Sequence, residues 1–389
     1  MTIFSGAKVP LVAWVCAWAL PACGAAGATS GEPRGPGSPD SLEVERQVIT
    51  AEDGTSLSEL FGRGKWHFDR AEFREAAEVY SRVYQLEPEG ALAPHALLNA
   101  GHSYDQAGEL ALAEKSYQRL LSEFPSSELS RSALMRAVRI LGYLERWAEA
   151  GRLADVGIQR FKDLAPLELI SMHAARALAA VEAGDLPRAN REVERGRTLA
   201  EGAELDRAGR LPTDLAQLYF ALGEVRRLKG EAIQFSPTPP NFADVLEERC
   251  QLLLDAQSAY SDTMRAYDAH WSAMAGFRVG ELYQRLHEDL MRVPPPAGAK
   301  TEKDRQLFEG AMRLRYSVLL RKGQQMMEHT LSMAARTGEQ SSWVARASRS
   351  KQELEAAIRA EEAALDKLPY TRAELRAALD DLAAKYQVN

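Results

Sequence analysis

The chain has 389 residues, 46% hydrophobic and 26% charged, with a net charge of −7. That apolar share excludes wholesale disorder, three cysteines exclude a disulfide-stapled scaffold, and no apolar run reaches the ~18 residues of a membrane-spanning helix. The acidic balance argues against a nucleic-acid partner, because phosphate binding needs a clustered positive field. At ~100–200 residues per domain, the length allows two or three domains or one long repeat array.

Lys8 is followed by an apolar stretch from Val9 to Leu20 and then by Cys23. A positive start and a short apolar core describe a secretory leader. The four residues Leu20-Pro21-Ala22-Cys23 resemble the lipobox of bacterial lipoproteins. That resemblance implies cleavage before Cys23 and acylation of its thiol and amine. Pro21 is less usual in that box. The alternative is an ordinary leader cut within Ala25-Ala26-Gly27-Ala28. Two or three acyl chains anchor a protein durably where one does so only marginally. By the same resemblance, Gly24 in place of Asp favours sorting to the outer membrane, facing the periplasm. Residues 1–22 are therefore expected to be a signal peptide. Residues 23–40 are rich in Gly, Ala, Ser and Pro and read as a flexible tether. Cys16 lies in the leader, so acylation of Cys23 leaves Cys250 as the one thiol and no intramolecular disulfide.

After the tether the sequence repeats. Gly64, Gly101 and Val138 recur at an interval of 37 residues. The same interval relates Phe73, Leu110 and Trp147, and also Ala76, Ala113 and Ala150. It relates Tyr80 to Tyr117 and Pro88 to Pro125. A fourth copy follows at a slightly longer interval, with Gly184-Asp185-Leu186 and then Ala189 and Val193. Each copy reads as two helices. In the second, Leu97, Ala100, Gly101 and Tyr104 share one helical face. Gly108 breaks that helix, and Leu110, Ala113, Tyr117 and Leu120 form the next stripe, closed by Pro125. Glu114, one position from the stripe, is expected to be exposed. Ser56-x-x-Glu59 and Asp69-x-x-Glu72 are expected to cap the two helices of the first copy. The small columns let paired helices approach closely, and Tyr117 is expected to fill the space between pairs.

This small–aromatic–small–Pro pattern resembles the tetratricopeptide repeat, over about residues 56–200. It weakens in the third copy, where Ala154 and Gly157 replace large residues and no proline follows. The resemblance implies an all-α, right-handed α-solenoid of helical hairpins. Residues 41–200 are read as the repeats and 201–389 as a degenerate helical half with longer helices. There the helical stretches run from Leu215 to Ile233, Asp244 to Arg265, Trp271 to Met291, Glu302 to Arg336 and Ser342 to Lys367. Pro-rich breakers stand at 236–240 and 294–299, Gly338 stops a helix, and Thr371-x-x-Glu374 caps a last one.

Motifs that carry catalytic chemistry are missing. Gly64-Lys65 lacks the rest of a phosphate loop, and His287-Glu288 lacks the second histidine of a zinc helix. Ser348-x-x-Lys351 matches a serine–lysine nucleophile pattern, but the tripeptides that complete such a site are absent. The carboxylates read as helix-surface charges beside Lys or Arg, and Cys250 as a core thiol. No enzyme activity, cofactor or metal is expected.

Stacked repeats place the first helix of each pair on the concave side. By register that face holds Phe61, Lys65 and Phe68, then Leu98, Asn99 and His102, then Met135, Arg136 and Arg139. An amide and several cations beside aromatic groups suit an acidic or amphipathic peptide segment. The expected partner-binding groove is Lys65, Phe68, Asn99, His102, Arg136 and Arg139. Asn99 and Arg136 also fall where some tetratricopeptide domains hold a partner's C-terminal carboxylate. Phe61, Lys65 and Ser132 depart from that clamp. Met312, Met326, Met327 and Met333 near Tyr316 read either as a helix–helix core or as an adaptable partner surface. Arg313, Arg315, Arg321 and Lys322 are basic, but acids lie nearby. The function that follows is a membrane-anchored scaffold binding envelope proteins. The alternative is a periplasmic binding protein for a peptide or a cell-wall polymer.

Overall fold

The computed structural model describes residues 55–205 and 211–378. The expected leader, the tether and Cys23 lie outside the described residues. Among the described residues the chain forms helices joined by turns and loops, with no extended strand. Four pairs of short helices come first: α1 (Leu57–Asp69) with α2 (Phe73–Leu86), α3 (Ala93–Gln106) with α4 (Leu110–Glu123), α5 (Ser130–Tyr143) with α6 (Trp147–Arg160), and α7 (Pro166–Glu182) with α8 (Leu186–Gly202). Longer helices follow: α9 (Asp214–Glu231), α10 (Phe242–Met264), α11 (Ala269–Met291), α12 (Glu302–Thr337) and α13 (Ser342–Asp366). Residues 372–378 are also helical. Each helix packs on the next in the chain, and first helices pack on one another across pairs, as in α5 on α7, α7 on α9, α9 on α11 and α11 on α13. This is the arrangement of an α-solenoid of helical hairpins.

Local signals set the helix ends. Ser56 and Glu59 form the expected capping box, and Thr371 accepts from and donates to Glu374 as expected. Gly338 closes α12 in the left-handed region at φ 74°. Asp69-x-x-Glu72 is not a capping box. Asp69 is the last residue of α1 and takes Lys65 at 2.6 Å, while Glu72 accepts from Arg70 and pairs with His67. The reason is the tightness of the turn. Ala71 adopts φ 59°, and the Glu72 N–H donates back to the His67 carbonyl. The same turn recurs at Gly108, Glu145 and Gly184, with matching bonds from Glu109, Arg146 and Asp185. Two of these four left-handed positions are not glycine, at a cost of ~1–2 kcal/mol each.

The small and aromatic columns pair within each hairpin. A Cβ on Gly64 would stand 2.9 Å from the Tyr80 ring, and one on Gly101 would stand 2.5 Å from the Tyr117 ring. Tyr117 therefore fills its own pair first, and only then the junction with Ala133 and Ala137 of α5. The third pair exchanges sizes. Val138 stands in the glycine column and Ala154 in the tyrosine column, and Met172 of α7 joins their cluster. Gly223 and Tyr260 restore the small–aromatic couple between α9 and α10, with 2.4 Å between a built Cβ and the ring.

Glu114 is not exposed. It is buried and stands 3.2 Å from Arg146 of the next hairpin. The general reading of carboxylates as surface charges fails likewise at Glu192, Glu224 and Glu361, all buried. Each is met by a guanidinium from a neighbouring helix, Arg176, Arg278 and Arg313 in turn, which is how a buried charge is tolerated. Met312, Met326, Met327 and Tyr316 are buried, so that stripe is helix–helix core. Arg313 and Arg321 pair with Glu361 and Glu362 of α13, and Lys322 lies over the Tyr283 ring. Cys250 is half-buried, and burial pushes its thiol up to about 11, out of the range of a reactive thiolate.

Candidate functional site

The first helices carry the residues singled out by register. Lys65, His102 and Arg139 form one column at the repeat interval, and Asn99 and Arg136 form another. Phe68 and His102 meet with ring centroids 5.0 Å apart. Arg136 and Arg139 converge on Asp105, Arg136 at 3.9 Å and Arg139 in a close hydrogen bond. The structure thus brings Phe68, His102, Arg136 and Arg139 to one surface, around an acid that the sequence reading missed. The place of Asp105 one turn beyond His102 was the signal the sequence held; in the structure its side chain is only 9% exposed. Burial, with Arg136 and then Arg139 nearby, holds His102 below the usual histidine range, so the ring is neutral near pH 7. Lys65 stands apart, exposed and paired with Asp69. Asn99 is half-buried and faces the Tyr80 phenol, which burial pushes up to about 12. Phe61 packs edge-on against Tyr80, ring centroids 5.1 Å apart.

The end of α5 is covered by the chain itself. The Tyr143 hydroxyl donates to Asp268, and the Tyr143 ring lies 5.1 Å from His270 and 6.0 Å from Trp271. Trp343 Nε1–H donates to Glu145 Oε1 at 2.8 Å, across 198 residues of sequence. Residues at the starts of α11 and α13 therefore occupy the surface that follows Arg139. Such long-range pairing leaves no periodic trace in the sequence.

Farther along, α9 is buried on nearly every face. Its polar residues join a charged network. Glu224 accepts from the Tyr260 hydroxyl at 2.6 Å and from Arg227 Nη2 at 2.7 Å, and Arg278 Nε stands 3.0 Å from it. Arg278 continues to Glu281 at 2.6 Å, and Glu281 accepts from Arg285 at 2.9 Å. The Arg278 guanidinium also lies 5.2 Å from the Trp343 ring centroid. The network ties α9, α10, α11 and α13 together.

Catalytic arrangements do not emerge from these groups. Ser348 is exposed, and Lys351 pairs with Glu328 at 3.5 Å and Glu355 at 3.6 Å. Among the described residues no three His, Cys, Asp or Glu side chains stand close enough to hold a metal ion.

No protein-family model matches the chain, and no curated protein does. Among solved structures, it is similar to a tetratricopeptide repeat protein from Parabacteroides merdae, at 14% identity and a TM-score of 0.38, over 71% of this chain and 93% of that one. It is similar also to the C-terminal part of a TPR repeat-containing protein from Cytophaga hutchinsonii, at 14% identity and a TM-score of 0.33, over 74% and 98%. Yeast Tom70 is a third, at 12% identity and a TM-score of 0.29, over 85% and 76%.

Proposed function

We propose that the protein is a non-catalytic scaffold that binds other envelope proteins through the first helices of its early hairpins. The observation that carries this reading is the surface of Phe68, His102, Arg136 and Arg139. One carboxylate, Asp105, is shared by two guanidinium groups. With His102 neutral, these groups keep one positive charge in excess, beside an aromatic ring. That combination suits an acidic segment with an apolar side chain. Stacked hairpins supply the rigid, extended support that such recognition needs.

The test separates binding from folding. Asn99→Ala combined with Arg136→Ala removes an amide and a half-exposed guanidinium, and Asp105 keeps its hydrogen bond to Arg139, so the loss should stay at ~1 kcal/mol. The melting temperature should stay within a few degrees, since ~1 kcal/mol shifts it by ~2–4 °C in a domain of ~200 residues. In a crosslinking pulldown the same variant should lose at least one envelope protein, whose binding to the wild type weakens with added salt. An unchanged partner set would reject this surface. A drop in melting temperature well beyond a few degrees would give these side chains a structural role instead.

The scaffold is held at the membrane, in this proposal, by a lipid on Cys23. The Leu20–Cys23 box and the Gly-, Ala-, Ser- and Pro-rich stretch after it support this. No helix among the described residues is long and apolar enough to cross a membrane. Cys23→Ala should move the protein from the membrane to the soluble envelope fraction and abolish incorporation of labelled fatty acid. Cys16→Ala should change neither. Equal retention of the Cys23 variant in high salt would remove the anchor from the proposal.

A further inference from the structure

A second surface, unrelated to the early hairpins, lies between α11 and α13. These helices run parallel and in register. Phe277 meets Trp343 with ring centroids 5.4 Å apart, and Gln284 Oε1 accepts from the buried Ser350 hydroxyl at 3.1 Å. Both couples span 66 residues of sequence, so one alignment relates the two helices. Between them opens a cleft of about 390 Å³. The couple of Gln284 and Ser350 forms its floor.

Charge is distributed unevenly along this cleft. At one end Arg346 stacks on Trp343, 4.3 Å from the ring centroid, which fixes the guanidinium plane. It makes no ion pair with any described residue. One turn on, Arg349 makes neither a hydrogen bond nor an ion pair with any described residue. Toward the other end Glu353 is likewise without a described partner. Glu288 receives only the Gln284 amide, at 3.1 Å. The charges between these ends cancel, since Arg227, Arg278 and Arg285 are matched by Glu224, Glu231 and Glu281. The cleft therefore has a cationic, aromatic end and an acidic end.

The spacing selects a ligand. Arg346 and Glu353 are seven positions apart on one helix, or ~10 Å at ~1.5 Å per residue. An extended chain rises ~3.3 Å per residue, so about three residues cover that distance. A ring-stacked Arg346 and an Arg349 with no ion pair among the described residues favour a carboxylate at one end, which a guanidinium binds with two hydrogen bonds. Unpaired carboxylates at the other end favour an ammonium or guanidinium. We propose that the cleft between α11 and α13 binds an extended peptide segment carrying an acidic residue and, three positions away, a basic residue. The acidic side chain sits on Arg346 and Arg349, and the basic one on Glu353 and Glu288. This site does not depend on the reading of the early hairpins.

The probe is a set of eight-residue peptides, fluorescein-labelled and amidated, with Ala and Ser around a variable pair, titrated into the whole chain and read by anisotropy. A Glu-x-x-Lys peptide should bind up to about fivefold tighter than Glu-x-x-Gln or Gln-x-x-Lys. It should also bind tighter than peptides with the two charges adjacent or six positions apart. One arm compares amidated Lys-x-x-Glu with Lys-x-x-Ala ending in a free C-terminal carboxylate, which tells a side-chain carboxylate from a terminal one. Arg349→Glu should erase the preference for Glu over Gln in the peptide, and Glu353→Lys the preference for Lys over Gln. Both residues are exposed and unpartnered among the described residues, so circular dichroism and melting temperature should match the wild type. Asn99→Ala with Arg136→Ala should leave these affinities unchanged. Equal affinity for all charge patterns, or charge-reversal variants that keep the wild-type order, would overturn the proposal.

Discussion

Glu224→Ala is expected to destabilise the fold by about 3–5 kcal/mol, the usual result of removing one partner from a buried ion pair. Its carboxylate is 5% exposed and faces Arg227, Arg278 and the Tyr260 hydroxyl. Truncation leaves two largely buried guanidinium groups without their shared counter-charge. Glu224→Gln keeps the shape and some hydrogen bonding, so it should cost less than alanine but remain clearly destabilising at pH 7. Urea midpoints measure both. Acid gives a second readout. Burial alone would raise the Glu224 carboxyl, but Arg278, then Arg227, outweigh it and hold the group below the ordinary carboxylate range. A folded-state value lowered in this way supplies stability above the unfolded value of about 4.5, which is lost as pH falls through the folded value. The wild type should therefore lose its advantage over Glu224→Gln as pH falls below about 4.5. A gap between the two that stays constant from pH 7 to pH 3 would refute the charged pairing.

Gly101→Ala should also destabilise, by up to roughly 2 kcal/mol, although alanine is the better helix former. The propensity gain is ~1 kcal/mol. Against it, the new Cβ would stand 2.5 Å from the Tyr117 ring. That ring is fully buried, so it cannot swing away, and overpacking a filled core costs ~1–3 kcal/mol. Gly62→Ala on the neighbouring α1 is the matched control. No atom lies within 4 Å of its built Cβ, so the same substitution should stabilise by up to ~1 kcal/mol. Opposite shifts of the urea midpoint are expected. Two shifts of the same sign would mean that the glycine column is not a packing column.

The candidate site was legible to the extent that it is periodic. Lys65, His102 and Arg139 recur at the repeat interval, so register alone puts them on successive first helices. Register does not reveal that Asp105 joins Arg136 and Arg139, or that Lys65 turns to Asp69 instead. A side chain's partner depends on angles and distances between helices, which spacing does not encode. The cap at Ser56 was legible because both partners lie within one turn. The turn at Ala71 was not, because its left-handed conformation is marked by glycine only at the equivalent positions 108 and 184.

The sequence by itself determined the helix succession, the pairing of neighbours in the first copies, and the stops at Gly108 and Gly338. These follow from local preferences and from apolar spacing of three and four residues. Only the tertiary structure decided which charges are buried and what covers the end of α5. Glu114 reads as exposed along its own helix and is buried by the next hairpin's Arg146. Tyr143 and Glu145 meet Asp268 and Trp343, 125 and 198 residues away. Burial and long-range pairing depend on how successive hairpins stack, and that stacking sums small packing angles no single stretch of sequence contains.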